Sequence, residues 1–251
     1  MSDLPDVLWL NTSSSLKQFD LPLLNYLPYL VPMACWQYHQ SQDEASSLET
    51  AIVLLHDYLK SCSRPLHLVG HGTSGLLGLL YARRYPERVK SLALLSVGVQ
   101  PAIDWQAHYY ARYKLLPCSR RAILVQMARH LFGYEDRQAI GHMASVLERD
   151  LDNSLSPHSL LCPTCIEPAG VPVPLLICGS RDDLIVDRTA LQGWRPWLKS
   201  GDRVWECPSG RYFFHYSHPR LVGGQLVDFW RSHSPDSVVR SPFEAALNYL
   251  P

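Results

Sequence analysis

The chain is short of the features that mark special environments. Neither sign of charge is in excess: 23 Lys and Arg face 23 Asp and Glu across 251 residues. A balanced surface exerts no broad pull on nucleic acid or anionic lipid, so no nucleic-acid partner is expected. Long apolar runs are missing too. The most apolar stretch, 21–36, is interrupted by Pro22, Pro28, Pro32 and Asn25, so it reads as a helix followed by a strand and no integral membrane segment is expected. Around Met1 the charges are Asp3 and Asp6, where a secretory leader would carry Lys or Arg. Cysteine does not come in an even set; there are seven, several within apolar runs, which reads as free thiols in a reducing compartment. A cytoplasmic protein is the expectation. Internal repeats and low-complexity tracts are absent from the sequence.

What is present fits one compact domain of ordinary composition, 47% hydrophobic and 18% charged. The apolar run 6–11 predicts a buried strand that ends in the polar cluster Asn11-Thr-Ser-Ser-Ser15. A helix is predicted over 17–29 and a second strand over 31–38. Ser46-Ser-Leu-Glu49 has the pattern of a capping box, opening a helix with Leu48, Ala51, Ile52, Leu55 and Leu59 on one face. A strand at 65–69, a small-residue turn, a helix at 76–85 apolar nearly all round, and a strand at 91–97 follow. This alternation predicts right-handed crossovers and a parallel sheet. From 101 to about 156 the pattern is helical without strands. Strands resume at 174–180 and 203–207, an amphipathic helix covers 219–230, and a short helix is predicted at 243–249.

The turn Val69-Gly-His-Gly-Thr-Ser-Gly75, between an apolar strand and an apolar helix, resembles the nucleophile elbow of the α/β-hydrolase superfamily, whose pattern is small-x-nucleophile-x-small. Gly70 and Ser74 stand at the small positions and Gly72 at the nucleophile position. The segments 81–94, 174–186 with Gly179-Ser-Arg-Asp-Asp183, and 207–219 are similar to the family's post-elbow helix and strand, its acid loop and its histidine loop. The resemblance implies an α/β-hydrolase fold: a mostly parallel sheet of about six strands, helices on both faces, and a helical cap insert. Residues 1–100 and 170–231 would form the core, 101–169 the cap, and 232–251 a tail with a short helix.

Carried over residue by residue, the resemblance leaves the chemistry mostly missing. Gly72 has no side chain with which to attack a carbonyl. Asp182 matches the acid. Counting back from His218-Pro219 places Tyr212 where the histidine belongs, with Arg211 beside it. Neither is a general base near neutral pH, since tyrosine titrates near ~10 and arginine above ~12. The family's His-Gly dipeptide, which helps form the oxyanion hole, appears as Asn11-Thr12. Gly72 also relaxes the elbow, because glycine reaches positive φ without steric cost.

Several residues carry two readings. Thr73 and Ser74 follow the elbow but are expected to point away from it, Ser74 as a packing residue. His215 is the candidate replacement base, although aromatic and histidine residues in this loop also serve packing alone. His71 reads as structural. Asp182 either remains as a leftover acid or caps backbone amides, the role favoured in the absence of a histidine to orient; Asp183 is expected to be solvated. Cys162 and Cys165, with His158 nearby, make half a zinc set with no second pair, so they read as free thiols and no metal or cofactor is expected. Trp105, His108, Tyr109, Tyr110 and Tyr113 either line a ligand pocket or form cap core. Asn11, Thr12, Gly72, Thr73, Trp105 and Tyr109 are the candidate ligand-binding positions. The expected function is non-catalytic, through a partner protein or an apolar small ligand. The rival is an atypical hydrolase, of esterase or lyase type, using His215 or another substituted group.

Overall fold

The structure, a computed structural model, describes residues 5–39, 45–133, 136–158 and 164–233. In chain order it runs β1 (Val7–Asn11), α1 (Lys17–Tyr26), β2 (Met33–Gln37), α2 (Leu48–Lys60), β3 (Leu66–His71), α3 (Thr73–Arg84) and β4 (Val89–Leu95). Three helices follow without a strand: α4 (Trp105–Leu115), α5 (Arg120–Phe132) and α6 (Arg137–Asn153). The chain then completes the sheet with β5 (Leu175–Ser180), α7 (Arg188–Gln192), β6 (Arg203–Cys207), α8 (Phe214–Ser217) and α9 (Pro219–Ser232). The helix expected at 243–249 lies outside the described residues.

The six strands form one sheet in the order β2-β1-β3-β4-β5-β6, and every neighbouring pair is parallel. Strand order reverses between β1 and β3, so the loops leaving these two strands diverge to opposite faces. The crevice between their C-terminal ends is where open α/β sheets bind ligands. Here it brings Asn11-Thr12 beside Gly72-Thr73.

Alternation along the strands builds a core on each face. Val7, Trp9, Val69, Ala93 and Leu95 turn toward α1 and α9, packing with Leu23, Leu226 and Phe229. Leu8, Leu10, Leu68, Leu92 and Leu94 turn the other way, toward Ile52, Leu55, Leu77 and Tyr81 of α2 and α3. A third cluster lies under α4, α5 and α6, where Ile123, Leu124, Met127, Ile140 and Leu147 join Phe19, Tyr212 and Phe213.

Two local readings are corrected. The helix after the elbow begins at Thr73 rather than near Leu76, because the Thr-Ser-Gly run of low helix propensity is held in the first turn by its contacts. The cap of α2 is Ser47, whose side chain accepts from the Thr50 N–H at 3.2 Å. The expected box on Ser46 and Glu49 does not form. The Ser46 hydroxyl is tied to Ser156, donating to its carbonyl at 2.8 Å and accepting from its N–H at 2.9 Å. Glu49 pairs with Arg84 at 2.6 Å.

Candidate active site

The elbow owes its shape to close backbone contact. A Cβ at Gly70 would stand 2.6 Å from the backbone of Ser74 and Gly75, and one at Gly75 would stand 2.8 Å from the Gly70 carbonyl oxygen. Only hydrogen fits where α3 starts across the end of β3. At the apex Gly72 has φ +52° and ψ −124°, a region that strains any residue with a side chain.

The space above Gly72 is taken. A Cβ built there would collide with the Tyr212 hydroxyl oxygen. Tyr212 is 1% exposed, and burial, with the nearby Asp104, Asp183 and Asp150 carboxylates, pushes its phenol well above the usual range despite the Trp105 N–H facing it. It is a neutral phenol at every physiological pH.

What holds the ring there begins at Asp182. Its carboxylate accepts from the Ser180 hydroxyl at 2.6 Å, the Arg211 N–H at 2.9 Å and the Gly210 N–H at 3.4 Å. Burial alone would raise this carboxyl, but those hydrogen bonds outweigh it and hold it below the ordinary value. Arg211 is thereby kept at φ +54°, uncommon for a residue with a side chain. Its guanidinium reaches the carbonyl oxygens of Arg129 and His130 at the end of α5. The Tyr212 carbonyl in turn accepts from the Ser96 hydroxyl and from His71 Nε2, both at 2.8 Å. The three positions assigned to a triad, 72, 182 and 212, are therefore joined: Asp182 grips the loop, and the loop seats Tyr212 on Gly72.

Thr73 and Ser74 do not point away; both line the cavity at the elbow. Nor is Ser74 merely a packing residue. Its Oγ accepts the Thr12 N–H at 3.0 Å and lies 3.0 Å from the Thr12 hydroxyl. That N–H stands where the resemblance looks for one arm of the oxyanion hole, and it is spoken for. Thr73 donates to Asp104 at 2.7 Å. Asp104 also caps α4 by accepting from the N–H groups of Gln106 and Ala107. Asn11 turns inward, its Oδ1 taking the Ser13 N–H at 2.8 Å and its amide reaching Asp20 at 3.4 Å.

The remaining hollow amounts to about 30 Å³, bounded by Gly72, Thr73, Ser74, Trp105, Gln106 and Tyr212 among others. That is room for about two waters and far below the ~300 Å³ at which small-molecule pockets begin. Its rim is a polar network. Asp150 accepts from the Ser13, Ser154 and Gln106 side chains, and burial still raises its carboxyl to about 6. Gln106 Oε1 has no partner among the described residues.

His215 does not come to this hollow. It is fully buried, its Nε2 is 2.9 Å from Asp20 Oδ1, and its ring lies against those of Trp9, His71 and Phe214. Burial drives the pair apart, raising Asp20 and lowering His215, so that each favours its neutral form. His71 lines the hollow, and burial followed by the His215 ring lowers it to about 3, so it too is neutral. Its structural reading accords with the bond to the Tyr212 carbonyl.

Asp183 was expected in solvent and is 4% exposed. It accepts from the N–H groups of Ile185 and Val186, with its Oδ2 3.4 Å from the Ser96 hydroxyl, and burial raises it to about 7. The adjacent acids Asp182 and Asp183 look alike in sequence, but the loop turns one to the surface and the other inward. Trp105 lines the hollow. Tyr109 does not, lying in the cluster under the three helices beside Tyr110 and Tyr113. His158 donates to the Ala102 carbonyl and sits 3.7 Å from Asp104. Cys162 lies outside the described residues, Cys165 is an exposed free thiol, and no group of metal-ligating side chains is found among the described residues. No helix among them is long and apolar enough to cross a membrane.

Asp20, Asp104, Gln106 and Asp150 were missed by sequence reasoning. Asp104 alone had a local signal, an acid before a helical pattern; the others are defined by partners far away in the chain.

No family model matches the chain. It is 47% identical over 226 residues to "Uncharacterized protein sll0249" of Synechocystis sp., covering 90% of each. It is 45% identical over 231 residues to "Uncharacterized protein alr2406" of Nostoc sp., covering 92% of each. Among solved structures, a membrane phospholipase A described as a bacterial virulence factor matches with TM-score 0.70 at 16% identity, covering 94% of this chain and 81% of that one. A thermophilic esterase matches with TM-score 0.70 at 14% identity, covering 92% and 91%. At such identities the likeness is one of fold, and the fold is that of the α/β-hydrolases.

Proposed function

The chain belongs to one family with the cyanobacterial proteins sll0249 and alr2406, and from that premise we propose that it is a hydrolase-fold protein that does not cleave esters and acts by binding. The observation that carries this reading is the Tyr212 hydroxyl standing where a side chain at Gly72 would begin. Acyl transfer needs a nucleophile at the elbow, a base within hydrogen-bond reach of it, and donors for the oxyanion. Here the first is a hydrogen atom, the second is a neutral phenol, and the Thr12 N–H is bonded to Ser74. Losing one member of a triad leaves residual catalysis, whereas losing all of these removes what the members do as a unit. The hollow of about 30 Å³ also leaves a substrate no room. Function resides in the site and not in the scaffold, so binding is compatible with the fold. The free thiols fit a place of action in the cytoplasm.

One observation favours the rival hydrolase: His215 and Asp20 form a carboxylate–imidazole pair at 2.9 Å, the arrangement that orients a general base. Against it, that imidazole is fully buried and does not border the elbow hollow. Labelling with a fluorophosphonate, followed by intact mass and by turnover of a short activated ester, decides between the two. The binding reading expects unchanged mass and no turnover above buffer. Turnover abolished by His215→Ala would overturn it.

A further inference from the structure

A second and larger space lies on the opposite side of the first turn of α4. It encloses about 400 Å³ and shares no lining residue with the elbow hollow. Trp105 and Gln106 face the elbow, whereas Ala107, Tyr110, Ala111 and Lys114 face this groove together with Ile103 and Ile166. The spacing 107, 110, 111, 114 is one face of a helix. From Ala107 to Lys114 it extends about 10 Å along the axis. Ala107 and Ala111 make a floor of small side chains. Tyr110, Ile103 and Ile166 stand along it as apolar walls.

The charge is at one end. Among the described residues, Lys114 is the one lining side chain of fixed charge, it is exposed, and no ion pair is found for it. His158, toward the other end, is already bonded to the Ala102 carbonyl. Leu115, 80% exposed, and the half-exposed Leu116 follow Lys114 in the chain. An elongated apolar trough that ends in an ammonium matches a single-chain anionic amphiphile, with its chain along the Ala floor and its acid head at Lys114. A cationic head would face Lys114.

We propose that the groove along α4, lined by Ala107, Ala111, Tyr110 and Ile166 and ended by Lys114, binds a medium-chain carboxylate, a fatty acid whose extended chain matches the floor of about 10 Å. This names a ligand class for the binding role above and rests on that role only in treating the ligand as bound and not cleaved. Cys165 is in the lining and exposed, which gives a local reporter.

The test is displacement of a fluorescent medium-chain fatty acid by unlabelled medium-chain fatty acid, below its micellar concentration, with the alkylamine of equal length as control. Alkylation of Cys165, read by peptide mass, is followed in parallel, with the exposed Cys35 as internal reference. The expected result is binding of the acid, weaker binding of the amine by about fivefold or more, and slowed alkylation at Cys165 but not at Cys35. Lys114→Glu should reverse the preference between the two heads. Ala111→Phe, on an exposed helical position, should abolish binding while the circular dichroism and melting profile stay unchanged. Absence of saturable binding, or binding equal for both heads and indifferent to Ala111→Phe, overturns the proposal. Ester turnover by a protein whose groove still binds would instead overturn the non-hydrolytic reading alone.

Discussion

The two spaces beside α4 differ in every respect that matters for a ligand. The elbow hollow is about 30 Å³ and rimmed by a polar network in which Thr12 and Ser74, Thr73 and Asp104, and Asp150 and Ser154 are bonded in pairs. The groove is about 400 Å³, mostly apolar, and ended by the exposed ammonium of Lys114. In a fold whose chemistry is sited at the turn after β3, the turn itself is filled and the vacancy lies one helix turn away. The difference is made by small changes in volume. Hydrogen at position 72 admits a tyrosine above it, and methyl groups at 107 and 111 leave a trough open. Identical operations on the two sides should therefore give opposite results.

The largest effect is expected from emptying the elbow. Tyr212→Ala removes a fully buried ring that α5, α6 and Phe213 pack around, and should cost about 4 kcal/mol in a denaturant titration, the usual scale for a buried aromatic. A cost under ~1 kcal/mol would mean that the ring is not a wedge. Next comes filling it. Gly72→Ser puts a Cβ at φ +52° against the Tyr212 oxygen, and strain plus overpacking should cost about 3 kcal/mol.

The acids beneath the elbow add a pH signature. Asp183 is raised to about 7 by burial, above the ~3.9 of an unfolded chain. Its neutral form is the one the fold tolerates, so its contribution is fully present below ~4 and is lost as pH rises through about 7. The stability of the protein relative to Asp183→Asn should consequently fall between pH 5 and pH 8, by on the order of 2 kcal/mol. A difference that is flat or rising with pH contradicts the burial. Asp182→Ala releases the Gly210 and Arg211 N–H groups and should cost about 1–2 kcal/mol, with increased hydrogen exchange across 210–213. On the groove side, Ala111→Phe should change stability by no more than ~0.5 kcal/mol, as expected for an exposed surface site. A loss as large as that of Gly72→Ser would erase the contrast between the two spaces.

The sequence made the scaffold legible because strands and helices are written in local periodicity. The apolar run 7–10 that marks a buried strand is visible in a few letters, and so is the glycine-rich elbow, whereas which residues of that strand face which core is not. Asp182 as a cap for backbone amides was also readable, because a carboxylate at a strand end without a histidine has few other partners. What stayed hidden depends on depth and on long-range partners. The Thr12–Ser74 bond joins residues 62 apart, and nothing near Ser74 distinguishes it from a packing serine. Asp183 and Asp182 are neighbours with opposite exposure, which only the loop's turn decides. The Tyr212 wedge had a signal, since a bulky residue in one loop accompanies a glycine in another. Complementary volume can be suspected from two positions, but contact requires the fold. Likewise Ala107 and Ala111 at i and i+4 announce a shallow helix face without saying what stands opposite.

The account turns on the contact between positions 72 and 212, and a double-mutant cycle measures it directly. Gly72→Ser is introduced into the natural protein and into Tyr212→Ala, and the four stabilities are compared by denaturant titration. With the hydroxyl gone, the serine should cost at least ~1 kcal/mol less, only the backbone strain remaining. If the two substitutions add within ~0.5 kcal/mol, Tyr212 does not occupy the elbow, and the physical ground for a non-hydrolytic protein is lost.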